Sequence, residues 1–201
     1  MSPRLIYFDT ETTGVRPEKD RIIELAAYDS ATGQIFEQLI NPKMAIPAEA
    51  TKVHKITNAM VANAPDFGQV AKDFMLFCEG DVALIGHNSD GFDLPFLRAE
   101  FTRNGLVLPQ NWIFVDSLKW ARKYRKDLPR HSLQFLRQIY GVAENEAHRA
   151  LNDVMVLYEV FQAMADDLTT KQVISLLGGP VKRQAILPET KKPALMPTLF
   201  N

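Results

Sequence analysis

The chain contains 201 residues, of which 46% are apolar, so it can form one packed domain with a short appendage. Its formal net charge of −1 excludes a global basic field, and any attraction to nucleic acid must come from a local patch. The single cysteine, Cys78, excludes an internal disulfide and favours a cytoplasmic location, and the absence of a long apolar run or a secretory leader predicts no membrane association.

The first half of the chain has the pattern of an antiparallel sheet followed by short helices. A short apolar run is typical of a buried strand, and the next two strands are separated by a turn at Thr32 and Gly33, which predicts a hairpin. The predicted elements are strands at 5–8, 22–28 and 34–40 and helices at 48–53, 57–62 and 67–78.

The second half alternates strands with helices, which implies parallel crossovers. The predicted elements are strands at 82–86 and 112–115 and helices at 94–103, 117–124, 132–141 and 150–165. The whole pattern predicts an α/β fold with a mixed sheet of about five strands, three antiparallel and two parallel, flanked by helices. This is the strand order of the ribonuclease-H-like fold. We expect one domain over residues 1–179 and a Pro/Lys-rich tail over residues 180–201 that is extended or disordered.

Two acidic residues, Asp9 and Glu11, follow the first predicted strand and are separated by one residue. Residues at this spacing point to the same face of a strand, so both carboxylates can contact one metal ion. An ordinary acidic turn at a strand end is the structural alternative. The following Thr12, Thr13 and Gly14 favour the functional reading, because glycine permits close backbone approach and the hydroxyls can bond a sugar or phosphate.

A third acid follows the buried strand at 82–86, at the edge where α/β sheets place their functional residues. Asp93 stands at the start of the next predicted helix, and capping of that helix is its structural alternative. Asp90 is the competing acid in the same loop.

Asp153 begins an apolar ridge of the last predicted helix, where a charge needs a partner. A first-turn acid stabilised by the helix dipole is the alternative. His148 precedes Asp153 by five residues and would lie about 140° away on a continuous helix, so sharing a site requires His148 to stand in the preceding loop. There it could act as a base near neutral pH, whereas a solvent-exposed linker histidine is the structural alternative.

Four acids in apolar surroundings repel each other unless a strongly positive group lies between them. Oxygen ligands of this kind suit Mg²⁺ or Mn²⁺. If folding brings Asp9, Glu11, Asp93 and Asp153 together, the sequence predicts a divalent-metal site and, through it, phosphate chemistry.

Together, these motifs resemble the DEDDh 3′→5′ exonucleases, which include the proofreading subunit of bacterial replicative polymerases, exonuclease X and ribonuclease T. The matching segments are residues 8–14, 46–50, 53–57, 115–118, 131–133, 140–142 and 148–153, within a resemblance that covers roughly residues 4–166. The middle motif departs from the family pattern by one extra residue between Asn88 and the acid. Phe92 before Asp93 fits the family pattern, so the resemblance favours Asp93 over Asp90.

The resemblance implies hydrolysis of terminal phosphodiester bonds of single-stranded DNA at two Mg²⁺ or Mn²⁺ ions, with release of nucleoside monophosphates in repair or proofreading. It assigns Asp9, Glu11 and Asp153 to the first ion, Asp9 and Asp93 to the second, and the role of base to His148. The resemblance also implies that a further set of residues binds the substrate near its 3′ end and phosphate. These are Thr12, Gly14, His54 and Asn88.

Two features suggest partners. Seven cations within nineteen residues could follow a phosphate backbone, although a solvated helix face explains them equally well. They are Lys119, Arg122, Lys123, Arg125, Lys126, Arg130 and Arg137. The terminal segment 196–200 loosely resembles peptides that dock on sliding clamps, which would connect the chain to a clamp or polymerase, and packing of this tail on its own domain is the alternative.

Three other functions are compatible with parts of the pattern. Aspartate-nucleophile phosphatases also place paired acids after a first strand, but they use a second Asp where this chain has Glu11 and need no counterpart of His148 and Asp153. A catalytically silent replication or repair adaptor would act through the tail. Within the family, RNA is an alternative substrate to DNA, because no residue that reads a 2′-hydroxyl can be located.

Overall fold

A computed structural model describes residues 3–143 and 149–167 of the chain. Five strands form one mixed sheet: β1 (Arg4–Thr12), β2 (Ile22–Asp29), β3 (Ile35–Leu39), β4 (Val82–Gly86) and β5 (Ile113–Asp116). Their order across the sheet is β3-β2-β1-β4-β5. The β1–β2 and β2–β3 pairs are antiparallel, and the β1–β4 and β4–β5 pairs are parallel. The predicted fold class, with three antiparallel and two parallel strands, is confirmed.

Seven helices are present in the described residues: α1 (Ala48–His54), α2 (Asn58–Val61), α3 (Phe67–Phe77), α4 (Asp93–Arg103), α5 (Ser117–Tyr124), α6 (Leu133–Ile139) and α7 (Ala150–Asp166). Short polar side chains fix several of the starts. Thr57 accepts a hydrogen bond from the backbone N–H of Met60, and Asp66 accepts one from Gln69, so each satisfies a donor that the helix leaves open. Within the described ranges, no helix has the length and apolar character needed to cross a bilayer.

The central strand β1 separates two apolar cores because its side chains alternate between the two faces of the sheet. Leu5 and Tyr7 pack in the core that α7 covers, whereas Ile6 and Phe8 pack in the core that α3 and α4 cover. Continuing the alternation places Asp9 on the α7 face. The apolar half of β1 therefore fixes which face its acidic half presents.

The observed β1 extends well beyond the predicted strand at 5–8. Its pairing with β2 continues past Asp9, which lies opposite Ala26, to Glu11, which lies opposite Glu24. Both acids thus lie within a strand and not after it. The sequence does not predict this extension, because the local pattern of the polar residues resembles a turn. Backbone pairing with the apolar strand β2 holds these residues extended.

Helix α4 begins at Asp93, one residue earlier than the sequence predicts. Phe92 is the N-cap residue and makes no side-chain cap hydrogen bond, and Asp93 is the first residue of the helix. The carboxylate of Asp93 instead accepts two hydrogen bonds from β1. Phe92 thus takes the N-cap position of α4, and the Asp93 carboxylate connects the first turn of this helix to β1.

Candidate active site

Three carboxylates meet between β1 and the first turn of α7. One oxygen each of Asp9, Glu11 and Asp153 can be chosen so that all three lie within 4.8 Å of one another. Asp9 and Glu11 stand two residues apart on the α7 face of β1, and α7 packs against β1 and β2. A single cation placed among these oxygens could contact all three side chains.

Burial and the repulsion of neighbouring acids make Asp9 and Glu11 difficult to ionise. Desolvation raises the pKa of Asp9 well above its ordinary value, and the charge of Asp93 is the next largest cause. Desolvation, followed by the charges of Asp153 and Glu24, raises the pKa of Glu11 to about 8. Such clustered acids with raised pKa values are typical of functional sites, and a divalent cation would offset the repulsion. The all-oxygen set suits Mg²⁺ or Mn²⁺.

Asp93 approaches this group from the start of α4, on the other side of β1. It is buried, and its Oδ1 accepts hydrogen bonds from the Thr10 backbone N–H at 3.1 Å and from the Thr10 hydroxyl at 2.6 Å. Desolvation raises the pKa of Asp93 to about 6, while the bonds from Thr10 oppose the shift. Asp90 has a different environment, because it is one-third exposed and pairs with Lys119. The fold brings Asp93, and not Asp90, towards Asp9.

A further buried acid, Glu24 in β2, binds the start of α7. Its side chain is fully buried, and its Oε1 lies 2.8 Å from Nη2 of Arg149. Its Oε2 accepts the backbone N–H of Ala150 at 3.0 Å, which satisfies one of the open donors at the first turn of α7. Sequence reasoning missed this residue, although a lone acid within the apolar run at 22–27 is a signal that could have found it.

Asp153 is itself oriented by α6. Gln134 Nε2 donates to Asp153 Oδ1 at 3.1 Å, and Arg137 Nε donates to Gln134 Oε1 at 2.9 Å. The amide of Gln134 is therefore fixed with its donor towards the carboxylate. Gln134 and Arg137 lie one turn apart on α6, and their role in orienting Asp153 becomes visible from the packing of α6 on α7.

The remaining predicted site residues lie in three places. Thr12 is buried at the end of β1, where its hydroxyl donates to the Gly14 carbonyl, and a Cβ at Gly14 would overlap the carboxylate of Asp20. His54 is buried at the end of α1, and its Nδ1 accepts the Ile56 N–H.

Asn88 follows β4 with a left-handed φ of 64°, and its backbone N–H donates to Asp116. This bond ties the loop after β4 to the end of β5. His148 lies outside the described residues.

Three of the seven cations in the predicted nucleic-acid track are engaged within the domain. Lys119 pairs with Asp90, and Arg125 pairs with Asp127. Arg137 is buried and bonds Gln134 as described. Arg137 is the buried member of the seven, and a phosphate track along the other cations stays a prediction.

Known proteins resemble this chain in sequence and in fold. A family model described as RNase_T, exonuclease, matches residues 6–161. The chain is 39% identical over 162 residues to the DNA polymerase III subunit epsilon of Treponema pallidum, with 78% of this chain and 74% of that protein covered. The chain belongs to this exonuclease family. It is also 37% identical over 180 residues to the chloroplastic/mitochondrial exonuclease DPD1 of Arabidopsis thaliana, covering 82% of this chain and 57% of that protein.

Solved structures share the fold of this family member at lower identity. Exonuclease I of E. coli in complex with a dA16 oligonucleotide superposes with a TM-score of 0.73 at 19% identity, covering 84% of this chain and 42% of that chain. Exonuclease X in complex with 5′ overhanging duplex DNA superposes with a TM-score of 0.64 at 24% identity, covering 87% of this chain and 99% of that chain. The chain thus spans less than two thirds of the Arabidopsis relative and of exonuclease I.

Proposed function

We propose that this chain is a metal-dependent 3′→5′ exonuclease that hydrolyses the terminal phosphodiester bond of single-stranded DNA and releases nucleoside monophosphates. DNA repair or replication proofreading is the role we infer. The observation that carries the proposal is the meeting of Asp9, Glu11 and Asp153 within 4.8 Å in a member of an exonuclease family.

Two Mg²⁺ or Mn²⁺ ions would supply charge for the attacking and leaving oxygens of the phosphate and would lower the pKa of a bound water. We assign Asp9, Glu11 and Asp153 to the first ion and Asp9 with Asp93 to the second. The donor chemistry supports this assignment, since all four groups are carboxylates and burial raises the pKa of those on β1 and α4.

The protein's own contribution is to hold these oxygens in place before substrate arrives. Thr10 fixes Asp93, and Gln134 fixes Asp153. We propose His148 as the base that removes a proton from the attacking water, with a general-base contribution of about 10²–10⁴-fold. Its chain neighbour Arg149 pairs with Glu24 at the start of α7.

The substrate groups are assigned by resemblance to the family. Thr12, Gly14 and His54 would border the terminal nucleotide with its 3′-hydroxyl, and Asn88 would lie next to the phosphate. Thr12 and Gly14 end the strand that carries Asp9 and Glu11, and Asn88 lies in the loop that leads to Asp93, which supports three of these assignments.

The names of relatives support DNA as the substrate and a replication or repair role. The structures of exonuclease I with dA16 and of exonuclease X with overhanging DNA are nucleic-acid complexes, and the Treponema relative is a DNA polymerase III subunit. RNA remains the alternative substrate. A clamp or polymerase partner would use the segment 180–201, which lies outside the described residues, and the cytoplasmic location stays a prediction.

The test uses 5′-labelled and 3′-labelled single-stranded DNA and RNA of one sequence, incubated with purified protein and Mg²⁺. We expect stepwise shortening of 5′-labelled DNA and immediate release of a labelled mononucleotide from the 3′-labelled strand. Asp9→Asn and His148→Ala should lose this activity, while Asp73→Asn, an exposed acid on α3, should keep it. Faster degradation of RNA than of DNA would assign RNA as the substrate. Equal activity in all variants would indicate a contaminating nuclease. DNA binding without cleavage would favour the adaptor function.

A further inference from the structure

A cavity of about 490 Å³ lies beside the candidate active site, where the end of β4, α5 and the segment that leads into α6 come together. Its volume falls within the range of sites that bind small molecules and cofactors. Its walls include Asn88, Leu118, Arg122, Pro129, Arg130 and Leu133.

The walls of the cavity are held by a chain of hydrogen bonds through two histidines. His87 Nε2 lies 2.9 Å from the carbonyl oxygen of His131, so it must carry the proton, and Nδ1 then accepts from the Ser117 hydroxyl at 2.9 Å. His131 Nε2 donates in turn to the Arg125 carbonyl at 2.9 Å. The segment between α5 and α6 is thereby tied to the end of β4, and the cavity is formed before any ligand binds.

Two arginines give the cavity a positively charged rim. Arg122 and Arg130 are exposed at its rim, and neither forms an ion pair with any residue in the described ranges. Their neighbours differ, because Lys119 pairs with Asp90 and Arg125 with Asp127. Among the described lining residues there is no Asp or Glu. A guanidinium pair without an internal partner is suited to bind a phosphate.

The cavity adjoins the carboxylate cluster through two of its walls. Asn88 belongs to the short loop that leads into α4, where Asp93 is the first helical residue. Leu133 is the chain neighbour of Gln134, whose amide donates to Asp153. A strand whose terminal phosphodiester lies at the carboxylates can therefore place a neighbouring part of its backbone at Arg122 and Arg130.

We propose that this cavity binds a backbone phosphate of the substrate strand on the 5′ side of the scissile bond. Arg122 and Arg130 contact the phosphate, and the apolar Leu118, Pro129 and Leu133 contact the adjoining sugar or base. The inference rests on the proposed function and assigns the binding of longer strands to two of the seven cations. The phosphodiester is common to DNA and RNA, and the experiment includes both.

The test compares Arg122→Ala/Arg130→Ala with a charge-matched control, Lys72→Ala/Arg98→Ala, whose exposed side chains lie on helices α3 and α4 over the other core. The substrates are a dithymidylate, which has only the scissile phosphate, and an octathymidylate, each also as the oligouridylate. We expect the ratio of kcat/KM for the octamer to that for the dimer to fall by about tenfold or more in the cavity variant and to stay at the wild-type value in the control. The slope of log binding constant against log salt concentration for the octamer should become shallower by about 0.7, the value for one phosphate contact to a single strand.

Equilibrium binding of a labelled octamer in the presence of Ca²⁺ gives a readout that does not depend on turnover. Weaker binding by the cavity variant, with an unchanged midpoint of thermal unfolding, supports the inference. If the wild type also degrades no nucleic acid, the inference still holds and only the proposed function fails. An active wild type with an unchanged length ratio and unchanged octamer binding in the cavity variant overturns the inference and leaves the proposed function intact.

Discussion

Arg149 and Glu24 form an ion pair across the interface between α7 and the sheet, with 2.8 Å between Nη2 and Oε1. The Glu24 side chain is fully buried, whereas Arg149 remains 33% exposed. The same carboxylate accepts the Ala150 N–H, so one side chain in β2 fixes both the residue before α7 and its first residue. Because Asp153 lies one turn later, this contact determines where its carboxylate meets Asp9 and Glu11.

Replacing Arg149 should destabilise the protein strongly. Among the described residues, Arg149→Ala leaves the buried Glu24 carboxylate with the Ala150 N–H as its one hydrogen-bond partner. We expect a loss of about 2–4 kcal/mol in the free energy of unfolding. Urea unfolding measures this change. The exposed Lys52–Glu49 pair provides the control, since Lys52→Ala should cost less than about 1 kcal/mol. Equal effects of both substitutions would show that the Glu24 contact does not anchor α7.

Adding Glu24→Gln to Arg149→Ala should recover part of the lost stability. The neutral amide keeps an oxygen that can accept the Ala150 N–H and removes the unpaired buried charge. No recovery in the double variant would mean that Arg149 acts by packing alone.

Without a divalent cation, stability should fall as the pH rises. Folding raises the pKa of Glu11 to about 8 and that of Asp93 to about 6, above the unfolded values of about 4. Their contribution to stability is therefore fully present below about pH 4 and is lost as the pH rises through about 8. Thermal unfolding in EDTA between about pH 5 and about pH 9 tests this expectation.

Glu11→Gln isolates the effect of one group. The variant should unfold at a higher temperature than the wild type at alkaline pH, and the difference should shrink towards acid pH, where the wild-type carboxyl is protonated. A pH-independent difference would contradict the raised pKa of Glu11. Mg²⁺ should reverse the alkaline destabilisation in the wild type, because it binds the ionised carboxylates.

Asp93 and Asp90 should differ sharply in their effect on nuclease activity. Asp93→Asn should reduce kcat by at least about 10²-fold, because the carboxylate beside Asp9 is lost. Asp90→Asn removes only an exposed pair with Lys119 and should stay within about threefold of the wild type. Initial rates on labelled single-stranded DNA measure both. The reverse order of effects would assign the role to Asp90.

Thr10→Val tests the support of Asp93. The valine keeps the backbone N–H but removes the hydroxyl that donates at 2.6 Å, so Asp93 can shift and its pKa should rise further. We expect about a 10–100-fold loss of activity, with the acidic limb of the pH–rate profile moved to higher pH. A loss without that movement would indicate damage to packing instead.

The sheet and the common face of Asp9 and Glu11 were predictable, because both depend on the alternation of side chains along a strand. The length of β1 was not, because the polar residues from Asp9 to Thr12 are held extended by their pairing with β2. The contacts of Glu24 and Gln134 depend on how α6 and α7 pack, and no periodicity within either segment encodes that packing. Charge density along the sequence also does not show which cations have acidic neighbours, since the partners of Lys119 and Arg125 appear only in the fold.

The central claim is that four carboxylates bind the ions that the reaction requires, and counting bound Mn²⁺ tests it most directly. Electron paramagnetic resonance titration at alkaline pH, with thymidine 5′-monophosphate present, should find two Mn²⁺ ions per wild-type chain. Asp9→Asn, which alters the carboxylate assigned to both ions, should lose both together with the nuclease activity. Wild-type Mn²⁺ binding by Asp9→Asn, or no Mn²⁺ binding by an active wild type, would contradict the account.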